Sequence, residues 1–277
     1  MALKELLVIA DNDTAFRSRL DVAFGLAMQH GARVVGLHVM PPPLTPFYGE
    51  VPIPEAVEKA QRLELEEAAR RAAALFASAA AHTAVPTEWR VAEGPVLREA
   101  KVHARYADLS VVPQGIELGS PSADLHALPE ELALGVGRPV LVIPRYGSFR
   151  STGRRVLVAW NGSREATRAV HDALPLLQRA ERVTVLSIDP TVDPDGSRLP
   201  GADIALYLAR HGAVATAATI PGADMDVGDL LLSYATDHDA DLIVMGAYGH
   251  TRLREMVLGG ATRTLLQHMT VPVLLSH

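Results

Sequence analysis

The chain of 277 residues contains an internal repeat, which constrains its fold more than any other feature. The run LVIAD that begins at Leu7 matches LVAWN, which begins at Leu157, at an offset of 150 residues. Later in the chain, Ala107–Leu109 matches Ala240–Leu242 at an offset of 133. The offset falls by 17 residues between these matches, so the first copy holds an insertion, which we place in segment 41–81.

Each half alternates apolar runs with segments of helical periodicity, in the order β-α-β-α-β-α-β-α-β. The runs are nearly all apolar, as is typical of parallel strands that helices cover on both faces. This alternation predicts right-handed crossovers and an open, doubly wound sheet. We therefore predict an α/β protein with two doubly wound, open, parallel five-stranded sheets in tandem. The predicted domains are residues 1–146 and 152–277.

The last strand of each predicted sheet is an apolar edge that needs a partner or a cover. We expect Val140–Pro144 to pair antiparallel with Val273–His277 about a pseudo-twofold axis. The chain would then form a pseudo-dimer within itself, and a homodimer of the whole chain is a further possibility.

Local signals mark several helices. Gly31 is placed to end the first helix in the left-handed conformation, and Ser163 is placed to cap its counterpart in the second half. The pattern predicts a long helix over residues 55–81 and a short equivalent at about 202–211.

Composition excludes several classes of protein. The chain has no cysteine, so it has neither a disulfide scaffold nor a thiolate metal site. Its formal net charge of -6 argues against nucleic acid or an anionic membrane as the main partner. No apolar run approaches the roughly 18 residues of a membrane span, so we expect a cytoplasmic protein.

The candidate site follows from the predicted topology. In doubly wound sheets the ligand crevice lies beyond the carboxyl ends of the strands, where the strand order reverses. In the second half this rule selects Asn161–Ser163 and the loop that begins at Gly246. Glycines at a strand exit and at a helix start let backbone N–H groups approach a phosphate closely. The pattern therefore favours a phosphate-bearing ligand.

The spacing Gly246-x2-Gly249-x9-Gly259, followed by a helix, resembles the nucleotide-binding signature of the universal stress protein family. The segment VLVAWNGSREATRAVHDALPLL resembles the first strand and helix of that family. The resemblance covers both halves and implies a tandem member with sheet order 3-2-1-4-5, the adenine nucleotide alpha hydrolase-like fold. It also implies ATP at the switch point in some members, dimerisation through the last strand, and a role in stress survival.

Residue by residue, the resemblance implies a nucleotide site in the second half only. Asn161 replaces the family's Asp, and Gly260 replaces a Ser or Thr, unless Thr262 supplies the hydroxyl. In the first half the glycines are replaced by Pro113, Ile116, His126 and Ala127, so that site is degenerate. The predicted nucleotide-binding residues are Asn161, Ile188, Gly246, Gly249, Gly259, Gly260, Ala261 and Thr262.

These observations favour a non-enzymatic stress-response protein that binds an adenine nucleotide, ATP or ADP with or without Mg²⁺, in its C-terminal domain. No catalytic residue and no metal ligand set is identified. One alternative is a slow ATPase or another nucleotide-dependent enzyme on the same fold. The other is a nucleotide-free dimerisation or adaptor module.

Overall fold

The computed structural model describes residues 2–11, 13–42, 54–115, 127–149, 151–189, 201–222, 225–247 and 260–277. The first half contains β1 (Glu5–Ala10), α1 (Phe16–His30), β2 (Arg33–Met40), α2 (Glu55–Ala80), β3 (Thr87–Glu93), α3 (Val96–Ala104), β4 (Leu109–Pro113), α4 (Leu128–Gly135) and β5 (Val140–Ile143). The second half contains β6 (Arg155–Ala159), α5 (Arg164–Leu177), β7 (Arg182–Ile188), α6 (Ala202–Arg210), β8 (Ala215–Ile220), α7 (Val227–Asp237), β9 (Leu242–Gly246), α8 (Gly260–His268) and β10 (Val273–Ser276).

The strands form one ten-stranded sheet in the order β3-β2-β1-β4-β5-β10-β9-β6-β7-β8. Each half therefore has the order 3-2-1-4-5, and all pairs within a half are parallel. The predicted doubly wound α/β fold is confirmed. The boundaries 1–146 and 152–277 stay predictions.

The two halves join through their last strands, as predicted. β5 pairs antiparallel with β10, and Leu141 lies opposite Leu274 at the centre of the pairing. Both residues are fully buried. The sheet is therefore continuous across the chain, and neither of these two strands is left as a free edge.

Helices cover both faces of the sheet. The core on one face combines the sheet with α1, α2, α5 and α6, and the core on the other face combines it with α3, α4, α7 and α8. This two-sided cover explains why residues such as Val8, Val111 and Val244 are fully buried. Among the described helices, none is long and apolar enough to cross a membrane.

The predicted helix signals are found in place. Gly31 follows α1 with φ +63°, and its N–H donates to the Ala27 carbonyl. Ser163 precedes α5, and its Oγ accepts a hydrogen bond of 3.1 Å from the Ala166 N–H. These caps set the direction in which α1 ends and α5 begins.

Candidate functional site

The second-half crevice lies at the carboxyl ends of three neighbouring strands. β6 pairs with β7 on one side and with β9 on the other, so their carboxyl ends share one edge of the sheet. Asn161 comes just after β6, Ile188 ends β7 and Gly246 ends β9. The structure thus brings these three predicted residues to the same edge.

Asn161 shapes the turn that leads into α5. Its Oδ1 accepts a hydrogen bond of 3.1 Å from the Ser163 N–H, and Ser163 in turn caps the helix. The Asn161 side chain is exposed. Asn161 therefore forms the turn before the helix cap and stays open to a ligand on the same edge.

The equivalent strand exit in the first half has the same turn but a different environment. Oδ1 of Asp11 accepts a hydrogen bond of 3.1 Å from the Asp13 N–H. The same carboxylate forms an ion pair with Arg19 of α1. Arg19 is 1% exposed and Asp11 is 8% exposed, so the pair is buried. Ala169 occupies the position of Arg19 in the second half, by the offset of 150 residues.

This buried pair sits in a polar cluster at the exits of β1 and β2. Burial raises the pKa of Asp11 above its ordinary value of 3.8, and the charge of Arg19 opposes that shift. Burial lowers the pKa of His38, at the end of β2, below its ordinary value. Asp11 Oδ2, Arg19 Nε and His38 Nδ1 are buried without hydrogen-bond partners among the described residues. In the first half, the carboxylate at the strand exit is thus paired with a residue of the same half, Arg19 of α1.

A second contact in the first half involves Gln114, the residue that follows β4. Nε2 of Gln114 donates to the carbonyl oxygens of Leu266 and Gln267, at 2.8 and 3.1 Å. Oε1 of Gln114 accepts from the Arg145 N–H at 3.0 Å. Because these carbonyls belong to α8, Gln114 ties the first-half strand exit to the helix of the second-half site.

Of the first-half positions that lack the glycines, Ile116 and His126 lie outside the described residues.

The predicted phosphate-binding helix start is partly described. Gly249 and Gly259 lie outside the described residues, whereas Gly260, Ala261 and Thr262 form the first turn of α8. Gly260 is exposed and Thr262 is 3% exposed. Because Thr262 is buried, it does not provide a solvent-facing hydroxyl at this helix start.

Sequence reasoning missed an acidic group beside this helix start. Asp226 caps α7, and its Oδ1 accepts a hydrogen bond of 2.7 Å from the Gly228 N–H. Its Oδ2 lies 3.6 Å from the position that a Cβ atom on Gly260 would take. An anionic ligand at Gly260 would meet this carboxylate as well as the helix N-terminus. The Asp preceding the apolar start of α7 was a readable cap signal, but its proximity to α8 depends on the tertiary fold.

Gly246 has a packing role that the spacing motif does not reveal. A Cβ atom at this position would lie 2.5 Å from the carbonyl carbon of Glu165 and 2.6 Å from the nitrogen of Ala166. The end of β9 therefore packs directly against the first turn of α5. The absence of a side chain at Gly246 serves this strand–helix contact, whatever ligand is bound.

We expect Gly246→Ala to lower the free energy of unfolding by about 1–3 kcal/mol, as overpacked sites do. Gly260→Ala is the matched control, because the nearest described atom outside its own helix is Oδ2 of Asp226, 3.6 Å from the Cβ position. Thermal unfolding of both variants without nucleotide checks the expectation. Equal stability of the two variants would show that Gly246 is not needed for packing.

The model of the universal stress protein family matches residues 153–277. A universal stress protein of Synechocystis sp. is 39% identical over 46 residues, which span 17% of this chain and 16% of that protein.

Two solved structures resemble almost the whole chain. A universal stress protein from Archaeoglobus fulgidus DSM 4304 has a TM-score of 0.73 and 16% identity, over 98% of this chain and 95% of that one. A protein of unknown function from Pseudomonas aeruginosa PAO1 has a TM-score of 0.57 and 15% identity, over 99% and 92% of the two chains. At these identities the similarity establishes the fold, and it extends over both halves.

Proposed function

Because residues 153–277 belong to the universal stress protein family, we propose that the chain is a stress-response protein without enzymatic activity that binds one adenine nucleotide, ATP or ADP. The nucleotide binds in the second half, at the edge formed by the carboxyl ends of β6, β7 and β9. The first half serves as a fixed structural partner through the pairing of β5 with β10.

The contrast between the two strand exits carries this proposal. Asp11 is held in a buried ion pair by Arg19, whereas the equivalent Asn161 is exposed. Ala169 stands at the position equivalent to Arg19, so the second half has no arginine there. A ligand that bound to the Asp11 carboxylate would have to break a buried ion pair, and loss of one partner of such a pair costs about 3–5 kcal/mol. A ligand in the second half meets no such cost.

The start of α8 supplies the phosphate-binding part of the proposed site. Backbone N–H groups at a helix N-terminus favour an anion. The Asp226 carboxylate beside Gly260 opposes a bare phosphate. A Mg²⁺ ion carried by the nucleotide would offset this repulsion, so binding is expected to be tighter with Mg²⁺ than without it.

Calorimetric titration with Mg·ATP tests the proposal. We expect one site per chain. We expect Gly260→Val to weaken binding at least about tenfold, which corresponds to a loss of about 1.4 kcal/mol of binding free energy. The reason is that a branched side chain at the exposed helix start would cover the N–H groups. Among the described residues outside α8, no atom lies closer than 3.6 Å to its Cβ position, so the fold should tolerate the change.

Ala127→Val is the matched control, because Ala127 precedes α4 at the first-half position equivalent to Gly260. It is expected to leave ATP binding unchanged. Two equivalent sites in the parent chain, or equal loss in both variants, would contradict a single second-half site.

One observation favours the nucleotide-free adaptor as the second candidate. Packing against α5 explains Gly246 without any ligand. An adaptor would show no heat of binding with ATP or ADP in the same titration. A slow ATPase would release phosphate from bound ATP over hours, and the proposed protein would not.

A further inference from the structure

The ten-stranded sheet has two outer edges, and they differ in charge. β3, with the sequence TEWRVAE, carries three charged residues, whereas β8, with the sequence ATAATI, carries none. The pairings of β2 with β3 and of β7 with β8 make Glu88 equivalent to Thr216, and Arg90 equivalent to Ala218. Charged side chains protect edge strands from pairing with other chains. The first half keeps this protection and the second half lacks it.

The helices beside the two outer edges differ in length. α2 has 26 residues, and its Phe76 ring packs against Trp89 of β3 with ring centroids 5.2 Å apart. α6, its second-half equivalent, has 9 residues. The helix beside β8 is therefore much shorter than the helix beside β3.

The backbone of β8 has hydrogen-bonding groups that point away from the sheet. The carbonyls of Val214 and Ile220 accept from Val183 and Asp189, on the side of β7. In a parallel strand, the N–H and C=O groups of one residue point to the same side. The N–H and C=O groups of the alternate residues Ala215, Ala217 and Thr219 therefore point away from β7. In the described part of the chain no strand lies beyond β8.

Exposed apolar side chains occur before and after β8 in the chain and on the preceding helix α6. Leu206 on α6 is 51% exposed, and Val214, directly before β8, is 62% exposed. Met225 and Val227, in the segment that follows β8, are 55% and 42% exposed. An uncharged strand edge with apolar neighbours has the character of an interface between proteins.

We propose that β8 is a dimerisation edge, at which a second copy of this chain adds its own β8 in antiparallel orientation. An uncharged strand meets its twofold copy without like-charge repulsion, and Val214, the residue before the strand, offers an exposed apolar side chain in each copy. The chain already uses this mode of assembly internally, where β5 pairs antiparallel with β10. The inference does not depend on nucleotide binding.

Sedimentation equilibrium of the full chain and of Thr216→Glu tests this proposal. The variant places at Thr216 the residue that occupies the equivalent edge position of β3, so the fold should tolerate it. We expect the parent chain to be a dimer, and Thr216→Glu to raise the dissociation constant at least about tenfold. Hydrogen exchange should show the amides of Ala217 and Thr219 protected in the dimer and unprotected in the variant.

Val91→Glu is the matched control, since it adds the same charge to the other outer edge, at a residue that is 48% exposed. It is expected to leave the dissociation constant unchanged. A monomeric parent chain, a Thr216→Glu variant that associates like the parent, or dissociation caused by Val91→Glu would each overturn the proposal. Circular dichroism of each variant establishes that it is folded.

Discussion

Arg19→Ala is expected to lower the free energy of unfolding by about 3–5 kcal/mol at neutral pH, the usual cost of removing one partner from a buried ion pair. Arg19 is 1% exposed and lies against the Asp11 carboxylate, which is itself 8% exposed. Without Arg19 the carboxylate stays buried with no counter-charge, and the pKa of Asp11 should rise further. Urea denaturation of the parent chain and the variant measures the difference.

Two further variants separate this ion pair from general effects on α1. Arg17→Ala removes an exposed pair with Asp21, 3.4 Å away, and should cost only about 0.3–0.5 kcal/mol. Asp11→Asn combined with Arg19→Ala reproduces Asn161 and Ala169 of the second half. This double variant should recover part of the loss, because a buried amide costs less than a buried unpaired charge. Superimposable unfolding curves for Arg19→Ala and Arg17→Ala would contradict the prediction.

The fold was predictable because its signals are local or repeated. The apolar runs and the repeat predicted the strands, and the need to cover two edges predicted the pairing of β5 with β10. The Ala-, Glu- and Arg-rich composition predicted a helix at 55–81, and the repeat predicted its counterpart at about 202–211. They correspond to α2 (Glu55–Ala80) and α6 (Ala202–Arg210). Gly31 and Ser163 act within a few residues of chain, so sequence alone was enough to assign them.

The chemistry of the two strand exits was harder to predict from the sequence. The glycine spacing gave Gly246 a ligand role, but its contact with α5 joins residues about 80 positions apart. The carboxylate of Asp226 meets Gly260 only because α7 and α8 pack at their first turns, where a Cβ atom on Gly228 would lie 2.8 Å from the Ala261 carbonyl oxygen. Such contacts are set by tertiary packing and leave no local pattern.

Arg19 is a different case, because the repeat itself contained the signal. The positions of α1 that face the protein core are mostly apolar, but one of them holds Arg19. The second half has Ala169 at the equivalent position. A charge at a buried position of one copy requires a partner, and Asp11 at the neighbouring strand exit carries the opposite charge. A comparison of the two copies, position by position, thus identifies the first half as the one whose strand-exit carboxylate is held in a buried ion pair.

The second large effect expected is a loss of stability as pH falls from about 6.5 to about 4, caused by His30. This residue ends α1, is 6% exposed, and its Nε2 has no hydrogen-bond partner among the described residues. Burial and then the nearby charge of Arg179 lower the pKa of His30 from 6.5 to about 4. The unfolded chain takes up the proton near pH 6.5, whereas the folded chain resists it until about pH 4. Stability is therefore fully present above pH 6.5 and decreases by up to about 3 kcal/mol below it.

Denaturant unfolding at a series of pH values measures this dependence in the parent chain and in His30→Leu. The variant cannot take up the proton, so its free energy of unfolding should change less over that range, whatever its value at pH 7. Since burial also lowers the pKa of His38, adding His38→Ser, which copies Ser187 of the second half, should flatten the curve further. His82→Leu, at an exposed position, should keep the full decline of the parent chain. Equal pH slopes for His30→Leu and the parent chain would show that another group causes the decline.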